Sequence, residues 1–164
     1  MTARDAIKIA LKSTQGMLEM YLTDLSDADL VIRPVPGANH IAWQLGHLIV
    51  AECELIGKGV PGTTYPELPA GFAQQHSKEM SKNDGPTGFR TKQEYLSLFK
   101  QMREATLTNL NKMSDADLDK PAQGQMAKFA PTAGALFVLQ SNHTIMHAGQ
   151  FTVLRRKLGK PVVI

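Results

Sequence analysis

Two histidines lie four residues apart near the end of the chain, His143 and His147, in the stretch NHTIMHAGQ. In a helix this spacing puts both side chains on one face with Cβ atoms about 6 Å apart, close enough for both imidazoles to hold one metal ion. Leu136, Leu139, His143, His147, Gln150 and Leu154 form one helical stripe, so the pair points into the protein. A third histidine joins when the two halves of the chain are aligned on their glutamines. Placing Gln44 on Gln140 brings His47 onto His143 and sets Ala51 where the second half carries His147. Three neutral imidazoles from two helices, with space left by Ala51, make an open site of the kind that zinc or a similar borderline metal uses for catalysis. The competing reading is a histidine pair hydrogen-bonded within the core. Three imidazoles in one apolar interior lack the partners for that, which favours a metal.

Other residues near these positions carry weaker signals. Glu54 is seven residues after His47 and is a candidate acid or base, although a solvated carboxylate is the simpler reading. His40, seven residues before His47, is about 10 Å away along the helix, too far to share the ion. It either lines the mouth of the pocket or, as its first-turn position favours, is exposed. Trp43 reads as a packing residue, Gln150 as a support for a ligand, and Gly149 as a point of close helix approach. Cys53 points away from the histidine face, and His76, in a long connection, reads as exposed.

The elements that must position these groups are helices. Ile7, Ala10, Leu11, Thr14, Met17, Leu18, Tyr21, Leu22 and Leu25 form one apolar stripe, with Thr2 and Asp5 as a capping box; Tyr95, Leu98, Phe99, Met102, Ala105, Thr106, Leu110 and Met113 form another, opened by Thr91 and Glu94. Each stripe ends at a copy of the same five residues, SDADL, at Ser26 to Leu30 and Ser114 to Leu118. A proline-bearing turn follows each copy, then a helix apolar on several sides, capped by Asn39 in the first half and Thr132 in the second. The serine and second aspartate of each copy suit a short capped turn, which either arose twice or marks an internal duplication. The halves are joined by residues 58 to 90, rich in glycine and proline, with a short helix expected between Pro66 and Met80. So long a crossover suits two hairpins that are not arranged simply up-down-up-down, and its glycines and length permit a lid over the site or, equally, a passive connection.

At 164 residues and 43% apolar composition, the chain is expected to be one domain, residues 1–164, with its own core. One cysteine, no leader-like apolar stretch and no membrane-length run point to a soluble cytoplasmic protein. The net charge of +3 is scattered apart from Arg155, Arg156, Lys157 and Lys160, which suit the end of a helix stopped by Gly159 and Pro161, so no nucleic-acid partner is expected.

WQLGHLIVAE and HTIMHAGQFTVLRRKLGKP resemble the DinB-like superfamily of bacterial four-helix bundles. In that family a tryptophan-led helix carries one histidine, and the last helix reads His-x-x-x-His-x-Gly-Gln, then Leu-Arg and Leu-Gly. The matching residues are Trp43, His47, His143, His147, Gly149, Gln150, Leu154, Arg155, Leu158 and Gly159. The resemblance implies an all-α, up-down-down-up four-helix bundle with zinc or nickel on His47, His143 and His147, and a homodimer. It also implies chemistry on a small-molecule substrate with low-molecular-weight thiols such as mycothiol or bacillithiol. From the residues, a metal-dependent transferase or hydrolase stands first, because a metal on three neutral ligands acidifies a bound water or thiol. A non-catalytic metal- or ligand-binding accessory protein stands second, and a bundle with core histidines third.

Overall fold

The computed structural model describes residues 1–82 and 88–163. Four long helices dominate, α1 (Ala3–Leu22), α3 (Ile41–Gly59), α5 (Lys92–Asn111) and α7 (Ala133–Lys157); the short helices are α2 (Asp27–Leu30), α4 (Phe72–Gln75) and α6 (Asp115–Leu118). Thr2 with Asp5 and Thr91 with Glu94 form the expected capping boxes. Both SDADL copies do the same over one turn: the hydroxyls of Ser26 and Ser114 accept from Asp29 and Asp117, whose carboxylates accept from the serine N–H groups. Leu30 and Leu118 then anchor each turn in the core, 0% and 4% exposed. The first copy has a second task, because Asp27 accepts from the Lys92 N–H and so helps to open α5.

Contacts between helix ends fix the direction of each. Arg4 at the start of α1 donates to the Met113 carbonyl just beyond α5, whereas Lys92 at the start of α5 donates to Leu22, Thr23 and Leu25 carbonyls at the end of α1. These two helices are antiparallel. Tyr95 near the start of α5 meets the His76 ring, which lies on Gly46 near the start of α3, while Asn109 near the end of α5 binds Thr64 just past the end of α3. Hence α3 and α5 run parallel. Arg155 near the end of α7 binds Asp24 and the Tyr21 carbonyl, so α7 runs with α1. The order is up-down-down-up, and the long crossover is required because α3 and α5 enter from the same end.

Two buried clusters fill the bundle, one around Leu18, Leu45, Phe99 and Phe151, the other around Leu11, Ile56, Leu136 and Phe137. Each such side chain contributes about 1.5–3 kcal/mol by burial. One local reading of the sequence is corrected. His40, not Asn39, caps α3: its Nδ1 accepts the Trp43 N–H at 3.1 Å, and the residue is 1% exposed. Arg155, Arg156 and Lys157 fall in the last turn of α7 as expected, and Arg155 is in addition buried and paired with Asp24 at 2.5 Å. Gly159, at φ +68°, ends α7 as expected. Among the described residues, no helix is long and apolar enough to cross a membrane.

Candidate metal centre

Helices α3 and α7 are antiparallel neighbours, and they bring His47, His143 and His147 together. The Nε2 atom of His143 lies 3.3 Å from that of His47 and 3.1 Å from that of His147, and one ligand atom from each residue falls within 4.8 Å of the others. Gln44 settles the protonation of one of them. Its amide nitrogen donates to the Asn39 carbonyl at 2.8 Å, which turns its oxygen toward His147 Nδ1, also at 2.8 Å. An amide oxygen only accepts, so Nδ1 carries the proton and the Nε2 lone pair of His147 faces the cluster. This is the outer support by which a protein fixes the tautomer of a metal-ligating histidine. His143 Nδ1, in contrast, is buried without a hydrogen-bond partner among the described residues, and its Nε2 lies against the imidazoles of His47 and His147. The donor set, the lone pair and the crowding of three Nε2 atoms fit a divalent cation at their centre.

Burial keeps the cluster neutral. Desolvation, followed by the charges of neighbouring histidines, pushes the pKa of His143 down to about 4 and that of His147 to about 3, and burial alone lowers that of His47. The unfolded chain protonates these residues near about 6.5, whereas the folded chain resists protonation to lower pH. Stability of the metal-free protein is therefore full above the unfolded value and declines as pH falls toward the folded ones. The expected result is a falling thermal midpoint between pH 7 and pH 5, before the carboxylates titrate, and a shallower fall in a His143→Leu variant, followed by calorimetry.

A cavity of about 610 Å³ opens on His47 and His143, walled by Val50, Leu55, Leu139 and Met146. Ala51 lines it too, leaving space where the second half carries His147. Glu54 reaches the same cavity, but it is exposed and paired with Lys58 at 3.1 Å. Cys53 is no ligand: its thiol donates to the Val50 carbonyl, and burial raises its pKa.

The sequence model of the DinB superfamily matches residues 10–151. The chain belongs to the DinB superfamily. Among solved structures it is similar to YfiT from Bacillus subtilis, described as "a probable metal-dependent hydrolase with an unusual four-helix bundle topology", at 18% identity and a TM-score of 0.68, covering 96% of this chain and 89% of that one. A conserved protein from Enterococcus faecalis is similar at 15% identity and a TM-score of 0.71, covering 98% and 99%. No curated protein matches the sequence significantly. At these identities the two structures speak for the fold.

Within this DinB bundle, several assignments made from the sequence change. Gln150 is exposed and does not support a ligand, a task that falls to Gln44. Gly149 faces open space; the close helix approach is at Gly59, where an added Cβ would come 2.3 Å from Leu136 of α7, and Gly46 is met as closely by the His76 ring of the crossover, at 1.9 Å. His76 is 1% exposed rather than solvated, and burial pushes its pKa down to about 4. Trp43 packs as expected, yet against His47 itself, with ring centroids 4.9 Å apart. As for the crossover, Ala73, His76, Ser77 and Lys78 form a wall of the cavity. Residues 83–87 of the same connection lie outside those described.

Proposed function

We propose that this chain is a metal-dependent enzyme acting on a small molecule at the three-histidine centre, by thiol S-transfer or by hydrolysis. The observation that carries this reading is the convergence of three Nε2 atoms, one with its lone pair fixed inward by Gln44, at the wall of an apolar cavity. A zinc or nickel ion held there supplies Lewis acidity to a water or thiol ligand. The chain's own residues do the rest. Gln44 holds His147, Trp43 packs on His47, and the aliphatic wall limits water around the site.

Among the described residues that line the cavity, Glu54 is the one carboxylate, and it is exposed and paired with Lys58. With Glu54 exposed and ion-paired rather than aimed at the histidines, a substrate that brings its own acidic proton fits this site better, which places thiol transfer ahead of hydrolysis. YfiT's description as a probable metal-dependent hydrolase supports the hydrolytic branch. Val138, Met146 and Val153 leave apolar surface on one face of α7, which supports the homodimer implied by the resemblance.

The test is metal content of untagged protein by elemental analysis, followed by turnover of the loaded protein against a panel of bacterial thiols with electrophiles and a panel of esters and amides. Conjugation is the expected result. Hydrolysis alone selects the second branch, and bound metal with no turnover in either panel selects the non-catalytic binding protein. A protein that takes up neither zinc nor nickel removes the reading.

A further inference from the structure

The three imidazoles are held by different means. His147 is oriented by a hydrogen bond to Gln44, whereas the ring of His47 lies flat against the indole of Trp43, the planes 8° apart and the centroids 4.9 Å apart. Trp43 precedes His47 by one helical turn and is 4% exposed. Its far side is also fixed, because Nε1–H donates to the Ser77 carbonyl at 3.0 Å. Ser77 belongs to the crossover, where its neighbour His76 is fully engaged. His76 Nδ1–H donates to the Phe72 carbonyl at 2.8 Å, and its Nε2 accepts from the Tyr95 hydroxyl at 2.8 Å. The same ring fills the notch over Gly46, where no Cβ fits. The Ser77 carbonyl is therefore placed by packing and hydrogen bonds that involve none of the three clustered histidines.

We propose that Trp43 is a positioning residue: it is held by the crossover through Ser77 and in turn holds His47 at the angle that metal binding requires, so that docking of the crossover and occupancy of the metal centre are coupled. The proposal rests on the metal reading given above. An imidazole free to rotate loses conformational freedom when it binds metal, and one already clamped against an indole loses less. Coupling of this kind is reciprocal, so metal must also tighten the indole's hydrogen bond.

Co²⁺ is the probe, its affinity read by chelator competition and its geometry by the visible spectrum, with folding checked by circular dichroism. Trp43→Leu is expected to weaken Co²⁺ binding about tenfold and to change the band intensities, as loss of an outer support does in other metal sites. Trp43→Phe keeps a ring over His47 and is expected to recover most of the affinity. A leucine variant with wild-type affinity and spectrum overturns the proposal alone, and so does a phenylalanine variant no better than leucine. Wild-type protein that binds no Co²⁺ overturns it together with the metal reading. Should the leucine variant not fold, the wild type decides: zinc is expected to slow hydrogen exchange of the chain's only indole N–H. Unchanged exchange overturns the coupling.

Discussion

A His143→Leu variant is expected to lose metal uptake while its metal-free form melts at a higher temperature than the wild type. His143 is the hub of the cluster, with the Nε2 atoms of both other histidines within 3.3 Å of its own. Apparent zinc affinities of about 10–16 kcal/mol shared over four ligands put one imidazole at about 3 kcal/mol, a loss of about a hundredfold or more. Without metal the same residue is a liability. Its Nδ1 is buried with no partner among the described residues, which costs about 1–3 kcal/mol, and leucine removes the orphan while still filling much of the space. A net gain of about 1 kcal/mol raises the midpoint of a chain this size by about 2–4 °C. Elemental analysis and calorimetry of chelated protein read the two effects separately. Undiminished metal content would remove His143 from the site, and a lower midpoint in the chelated variant would make the residue a core element first.

That trade explains why the histidine cluster was legible in the sequence. The four-residue spacing of His143 and His147 pointed only modestly to a ligand; aligning the halves added His47, and three imidazoles are hard to satisfy inside an apolar bundle. Matching Gln44 with Gln140 to find His47 also selected two residues that reach across the α3–α7 interface, Gln44 to His147 and Gln140 to Glu52. The bundle was equally legible, because apolar stripes and capping boxes are local signals. What the sequence hid depends on contacts between distant segments. His76 lies in a connection rich in glycine and proline, and nothing around it announces that Gly46, thirty residues earlier, leaves a notch for its ring. His40 was misread because histidine is a rare helix cap, although its Nδ1 accepts the Trp43 N–H well. Gln150 and Gly149 belong to the motif that carried the resemblance, yet the exposed face of α7 runs through both.

Glu52 and Arg103 escaped the sequence reading altogether, and breaking their pair is expected to cost more stability than any other single change considered for this protein. Both are 0% exposed. Glu52 is five residues after His47, about 140° around α3, and reads as a surface residue unless that helix is buried on nearly every side. Arg103 uses its whole fork: two bonds reach Glu52 at 2.7 and 2.9 Å, one reaches the Thr144 hydroxyl at 2.9 Å, and Nη1 donates to the Leu11 carbonyl of α1. Gln140 adds a bond to the same carboxylate at 2.7 Å. One ion pair thus ties all four long helices and sets α3 against α7, the two that carry the histidines. Arg103→Leu leaves a buried carboxylate with Gln140 as its remaining donor, and a loss of about 3–5 kcal/mol is expected from the urea midpoint. Glu52→Leu strands the guanidinium and should cost a similar amount. The double variant, with neither charge left to desolvate, should be more stable than either single one, its residual loss coming from the unpaired amide of Gln140 and from imperfect packing. If the two losses simply add, the residues act independently, and the pair does not tie the four helices as a unit.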